Sequence, residues 1–285
     1  MNKIILVQLF VLLLLFVAMT DDKPAYKLYD RNGHETTYRQ MLDSAKKADI
    51  VLFGELHDNP ICHWLELELA KDMYKADSSE FCLGAEMIEN DNRVTLNEYL
   101  NGFYNETTFK DNSRLWPNYS SDYRPLIEFA KTHKLKFIAS DVPRRYAAMV
   151  SSKGLEFLQH TISTEAKGFM APLPIDYDST LKCYKDMLTM DPAHSSKYMP
   201  EAQALKDATM AYKIVEAAGK GHHVKVLHFN GAYHSNNYEG IYWYLKRYNP
   251  ALKIMTISSA EEAAIENPGG DIHNLADFII CVSER

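Results

Sequence analysis

The chain has 285 residues, 46% of them hydrophobic and 24% charged, with a formal net charge of −7. This composition excludes a disordered chain, a collagen-like fibre and a polytopic membrane protein, while the length allows one large domain or two small ones. The acidic balance, without clustered Lys and Arg, excludes a general nucleic-acid binder.

At the N-terminus Lys3 precedes an apolar run from Ile4 to Met19 broken only by Gln8, and Asp21-Asp22-Lys23-Pro24 follow. The run is short for a spanning helix of ~20 residues, so residues 1–20 read as a signal peptide and 21–285 as one exported domain, periplasmic or membrane-associated. An uncleaved anchor is the alternative, because Ala18 and Thr20 make a poor cleavage site. No cysteine near the end of the run offers a lipid attachment point. Cys62, Cys82, Cys183 and Cys281 could form two disulfides in an exported protein but read as free thiols, since Cys82 and Cys281 lie in apolar strand-like runs and Cys62 in a helical one.

Further along, short apolar runs at Ile50–Phe53, Phe81–Ala85, Leu135–Ala139, Val224–Phe229, Leu252–Ile257 and Phe278–Val282 read as buried strands. Segments of helical period separate them, as at Ile61–Tyr74, Tyr123–His133 and Ala202–Ala218. The alternation predicts an α/β fold, a mostly parallel sheet covered by helices on both faces. Two Tyr-rich stretches, about 95–122 and 171–200, read as insertions forming a lid.

In open parallel sheets, ligands bind beyond the carboxyl ends of the strands. The residues following four predicted strands are Gly54-Glu55-Leu56-His57-Asp58, Glu86, Asp141-Val142-Pro143-Arg144-Arg145 and Asn230-Gly231-Ala232-Tyr233-His234. Separate segments thus deliver Glu55, His57, Glu86, Asp141, Arg144 and His234 to one rim. Asn59-Pro60 predicts a helix start there, with free N–H groups that favour an anion, and His63 sits one turn into that helix. Each residue taken singly has an ordinary structural explanation: Glu86 pairing with Arg144, Asp141 orienting a turn, a His packing on the surface. Their convergence favours function. His228 reads as packing, His222 and His223 fall at the wrong end of a strand, and His160, His194 and His273 read as surface residues.

The 18 Tyr, 12 Phe and 3 Trp are ordinary core and lid packing in most proteins. A flat apolar cofactor such as haem needs an aromatic slot, an axial ligand and a base for its propionates. Tyr146 directly follows Arg144-Arg145, and Tyr119, Tyr123 and Tyr233 flank the same rim.

The segment Gly54-Glu55-Leu56-His57-Asp58-Asn59-Pro60 with His63 resembles the opening signature of the ChaN-like haem-binding uptake proteins of the Tiki superfamily. Further matches follow in order at Gly84-Ala85-Glu86-Met87, Tyr123 to Ala130, Val142-Pro143-Arg144, Gln203 to Ala211, and Asn230-Gly231 leading to His234. Together they span roughly residues 45 to 250. The resemblance implies an exported protein of bacterial iron acquisition that binds haem, as a homodimer with the cofactor near the subunit interface, serving an outer-membrane haem transport partner. It also implies kinship with metal-dependent Tiki-type proteases and erythromycin-esterase-like hydrolases, which carries Glu55, His57, Glu86 and His234 over as catalytic positions. Two departures limit the transfer: the chain lacks the family's lipid-bearing cysteine, and Ala232-Tyr233 separate Gly231 from His234.

Two functions follow from these residues. The leading one is non-enzymatic haem binding, with Tyr146 or Tyr233 on the iron, a cation such as His234 or Arg145 supporting the phenolate, and Arg144, Arg145 or a helix start meeting the propionates. His63 stands near this cofactor site. The alternative is a hydrolase in which His57 takes a proton from water, Glu55 orients it, and Glu86 or His234 completes an acid–base set or a divalent-metal site made by His57, His234 and Glu55.

Overall fold

The computed structural model describes residues 23–78, 80–190, 196–219 and 224–284. The run read as a signal peptide, together with His194, His222 and His223, lies outside the described residues. Eight strands are present: β1 (Tyr26–Asp30), β2 (Glu35–Thr36), β3 (Ile50–Glu55), β4 (Phe81–Glu89), β5 (Lys136–Asp141), β6 (Lys225–Gly231), β7 (Ile254–Glu262) and β8 (Phe278–Ser283). They form one sheet in the order β2-β1-β8-β7-β3-β6-β4-β5. The six strands from β8 to β5 run parallel, and β1 lies antiparallel between β8 and β2.

The helices are α1 (Tyr38–Ala45), α2 (Pro60–Ala76), α3 (Arg93–Leu100), α4 (Glu106–Asp111), α5 (Arg124–His133), α6 (Arg144–Lys153), α7 (Leu155–Thr161), α8 (Thr164–Lys167), α9 (Lys182–Met190), α10 (Met199–Ala218) and α11 (Ile241–Tyr248). Both sheet faces are covered, and the alternation along β3 shows how. Val51 and Phe53 join a core with Leu65 and Leu69 of α2 and Leu126 and Ile127 of α5. Ile50 and Leu52 point the other way, into a core with Ala208 and Ile214 of α10 and Tyr244 of α11. A strand buried on both faces has no polar side, which is why β3 and the start of β4 read as unbroken apolar runs. The α/β architecture predicted from the sequence is the one found, and the four cysteines are free and buried.

Two differences from the sequence reading bear on the site. The antiparallel pair β1 and β2 was not foreseen, because Tyr26–Asp30 mixes apolar and charged residues and is held by its pairing with β8. The central strands also run longer than their apolar stretches: β3 ends on Glu55, β4 continues through Glu86 to Glu89, and β5 ends on Asp141. These carboxylates therefore sit inside strands rather than after them. Beyond Ala85 the β4–β5 register slips by two residues before Glu89 meets Asp141. Such an irregularity re-aims side chains, here at Glu86.

Candidate functional site

Order β3-β6-β4-β5 places four adjacent strand ends side by side, and two polar clusters form there. The first is built around Glu55. His57 Nδ1 donates to Glu55 Oε1 at 2.7 Å, and the Tyr123 hydroxyl donates to the same oxygen at 2.7 Å. The Asn59 side chain accepts from the N–H groups of Ile61 and Cys62, with Pro60 in the first turn of α2. This cap sets α2 so that His63 faces inward. Its Nε2 donates to the His57 carbonyl at 3.1 Å, and its Nδ1 lies 3.1 Å from Glu66 Oε2. The first insertion closes over this cluster: Asn118 Nδ2 donates to the same His57 carbonyl at 2.8 Å, and Trp116 packs edge-on to His57 at 4.8 Å.

The second cluster is built around Glu86. Its Oε1 accepts from Lys206 Nζ at 2.7 Å and lies 3.1 Å from His234 Nε2. Its Oε2 accepts from the Gly231 N–H at 2.9 Å. His234 Nδ1 bonds to Asp207, which also accepts from the Tyr184 hydroxyl at 2.8 Å. Lys206 reaches Asp141 at 3.5 Å, and the Gln203 amide lies 3.0 Å from His234 Nδ1. Gln203, Lys206 and Asp207 stand at spacings of three and four on α10, so they share one helix face.

Gly231 joins the clusters. A Cβ there would lie 2.6 Å from His57 Nε2, so the imidazole packs on bare backbone. Gly231→Ala is expected to push the half-exposed His57 ring off Glu55 and to cost about 1–3 kcal/mol, the usual range for overpacking. Urea denaturation of variant and parent checks this.

Charge balance sets the protonation states. Burial opposes ionisation of Glu86, but the charges of His234 and Lys206 outweigh it and hold the carboxyl well below its ordinary value. Burial likewise opposes charge on Glu55, and its bonds to His57 and Glu66 win. Burial and the neighbouring Glu55 charge push Glu66 far up. Burial lifts Asp141 to about 7, with Glu86 adding to the rise against Lys206. Burial works against a charged His234, yet Glu86 and Asp207 raise it to about 9. Despite its own burial, His57 is raised by Glu55 and Glu86.

These shifts predict a pH profile. A histidine with a raised folded pKa stabilises the fold fully below its unfolded value near 6.5, and that stabilisation is lost as pH rises through 9. Asp141, also raised, adds a loss between about pH 4 and 7. The unfolding free energy is therefore expected to fall by roughly 3 kcal/mol between pH 6.5 and 9 through His234, and a His234→Gln variant should flatten that segment. Urea titrations across this range read it.

Beside both clusters lies a cavity of about 380 Å³ lined by Glu89, Trp116, Pro117, Asp141, Val142, Arg144, Ala147 and Lys206. Arg144 bonds to Glu89 through its Nε and its backbone N–H, rather than to Glu86 as its sequence position suggested. Arg114 reaches Glu89 at 2.7 Å and Asp91 at 2.8 Å, and Arg145 also pairs with Asp91. Arg145 lies over the Tyr146 ring, 4.5 Å from its centre. Tyr146 is half-buried in the first turns of α6, beside the cavity-lining Arg144 and Ala147. Tyr233 is placed differently: its hydroxyl donates to the Cys183 carbonyl at 2.5 Å, and burial raises its phenol to about 12. His228 is buried in the sheet against Ser140, lowered to about 4 by burial.

The structure thus brings Glu55, His57, His63, Glu86, Asp141, Arg144 and His234 to one end of the sheet and turns the Tyr233 hydroxyl elsewhere. Sequence reading missed Glu66, Lys206 and Asp207 as members and gave Tyr123 only as a residue flanking the rim. Lys206 and Asp207 sit among the apolar residues of α10 as a charged pair that looks like a solvated face, so the sequence carries no clear signal for them. Among the described residues, donor atoms lying within 4.8 Å of one another, as a metal ion requires, belong to Glu55, His63 and Glu66. Glu55 is the member shared with the sequence-derived set of His57, His234 and Glu55.

The model for haem-binding uptake proteins of the Tiki superfamily, ChaN, matches residues 41–245. No curated protein matches the sequence. Among solved structures, ChaN of Campylobacter jejuni, described with cofacial haem binding, superposes with a TM-score of 0.65 at 16% identity, covering 91% of this chain and 97% of that one. A Bacillus cereus protein gives a TM-score of 0.51 at 10% identity, covering 86% and 90%. An erythromycin esterase, EreC, gives 0.47 at 12% identity, covering 86% and 78%. With the family match spanning most of the domain and the six-stranded parallel core in place, the chain belongs to the haem-binding uptake proteins of the Tiki superfamily, the ChaN family.

Proposed function

We propose that this chain is an exported haem-binding protein of bacterial iron acquisition, carrying a cleaved signal peptide over residues 1–20 and a single binding domain over 21–285. Ferric haem occupies the cavity at the carboxyl edge of the sheet, Tyr146 supplies the phenolate to iron, and Arg144, Arg145 and Lys206 meet the propionates. The protein acts as a homodimer with haem near the interface and passes it to an outer-membrane transport partner.

The observation that carries this reading is the lining of the cavity. Trp116, Pro117, Val142 and Ala147 give it apolar walls, and Arg144 and Lys206 place two cations at it beside the Glu89 and Asp141 carboxylates that they pair with and that also line it. That pairing of a flat apolar wall with bases is what a porphyrin bearing two carboxylates needs. Tyr146 is preferred to Tyr233 because the Tyr233 hydroxyl is already spent on the Cys183 carbonyl.

Titration of the purified protein with ferric haem tests the reading: a saturable Soret shift at micromolar haem is expected, and a spectrum equal to free haem would end it. Chromatography with light scattering, with and without haem, reads the dimer.

One observation favours a second reading. His57–Glu55 and His234–Asp207 are carboxylate-backed imidazoles, His57 packed on Gly231 and His234 beside the Glu86 that bonds Gly231, an arrangement suited to proton transfer in hydrolysis. Turnover of activated esters or peptides that vanishes in His57→Ala would support it, and no turnover by the haem-free protein would remove it.

A further inference from the structure

The cluster beneath the rim, formed by Glu55, His63 and Glu66, has more acceptors than donors. The side chains of Glu55 and Glu66 are fully buried, and that of His63 is 6% exposed. Glu55 Oε2 and Glu66 Oε1 meet no donor from any other residue, and the one bond open to the pair runs between the two carboxyls. A buried carboxylate oxygen without a donor is costly, so a proton or a cation belongs between these groups.

The surroundings leave these atoms free in a consistent way. Tyr123 and His57 both donate to Glu55 Oε1, so Oε2 is the free oxygen. His63 Nε2 carries the proton donated to the His57 carbonyl, so the Nδ1 lone pair faces Glu66 Oε2 at 3.1 Å and Glu55 Oε2 at 3.7 Å. Two ligands bound at ~2.1 Å to a tetrahedral ion stand about 3.4 Å apart, and the observed separations bracket that value. An imidazole whose other nitrogen is held by a backbone carbonyl is the usual outer support of a metal-bound histidine.

From this geometry we infer that Glu55 Oε2, His63 Nδ1 and a Glu66 carboxylate oxygen hold one divalent cation beneath the rim. One nitrogen and two oxygens suit Zn²⁺, Fe²⁺ or Mn²⁺. The site stands independently of the haem reading, because none of its donors lines the cavity. The competing occupant is a proton shared between Glu55 and Glu66.

The test uses the full chain, purified haem-free and without chelator. Elemental analysis is expected to find about one equivalent of a first-row metal. After stripping with EDTA, calorimetric titration with Zn²⁺ or Mn²⁺ should show one site and a raised melting temperature. Glu66→Gln and His63→Gln, with far-UV dichroism confirming their fold, should each weaken binding by more than about tenfold, while His234→Gln, in the neighbouring cluster, keeps the ion.

A chain that neither retains nor takes up metal holds a proton instead and overturns the inference. So would metal that survives both Glu66→Gln and His63→Gln, or that is lost only in His234→Gln. Should the variants fail to fold, X-ray absorption of zinc on the unaltered protein decides: one imidazole with oxygen neighbours is expected, and thiolate or several imidazoles would place the ion elsewhere.

Discussion

Phenylalanine in place of Tyr146 is expected to remove the ferric-haem Soret shift and weaken haem affinity by about a hundredfold, ~2.7 kcal/mol, while leaving the melting temperature within a degree or two. A phenolate–iron bond is lost completely on deleting one oxygen, whereas the ring itself, half-buried under the Arg145 guanidinium, keeps its packing. Tyr233→Phe is the control. It removes a hydrogen bond to the Cys183 carbonyl and is expected to cost about 1 kcal/mol of stability with the haem spectrum intact. Absorption titrations of both variants decide between the two tyrosines. A normal spectrum in Tyr146→Phe would reassign the axial ligand.

The second large effect concerns stability. Lys206 is the cation between the buried carboxylates of Glu86, at 2.7 Å, and Asp141, at 3.5 Å. Burial opposes its charge, and Asp141 and Glu86 nonetheless hold it protonated far above the ordinary lysine value. Removing one partner of a buried ion pair leaves the other charge uncompensated, so Lys206→Met is expected to cost about 3–5 kcal/mol near pH 8. The penalty comes from ionised carboxylates, and without the cation the Glu86 carboxyl binds its proton more tightly. The deficit should therefore shrink as pH falls toward 5. Urea denaturation of variant and parent at both pH values measures this. A deficit below about 1 kcal/mol, or one that does not change with pH, would mean that Lys206 does not balance these charges.

Both predictions rest on residues that the sequence revealed unequally. Glu55, His57 and His63 were legible because a helix start at Asn59-Pro60 directly after an apolar strand is a local signal, and the cap forms as expected. Glu86 was legible as a charge at the end of an apolar run, although β4 carries it inside the strand. Lys206 and Asp207 were not, since a charged pair on a long helix looks like a solvated face. Only the packing of α10 across the strand ends turns that pair inward. Glu66 was hidden for the same reason within α2. Tyr146 and Tyr233 were equivalent in sequence, and they separate once α9 supplies a carbonyl to the Tyr233 hydroxyl.

The amino-acid order alone determined the layered α/β architecture, because apolar runs of strand length alternating with amphipathic helices have few other ways to bury their surfaces. It also marked which strand ends gather polar and ionisable residues. Tertiary structure decided everything that depends on charge neutralisation between distant segments: that Arg144 serves Glu89 and not Glu86, that Lys206 and His234 share Glu86, and that Glu55, His63 and Glu66 converge. Hydrophobic burial is set by local pattern, whereas a buried charge is tolerated only where another element brings its counter-charge within a few ångströms, and no local pattern encodes that meeting.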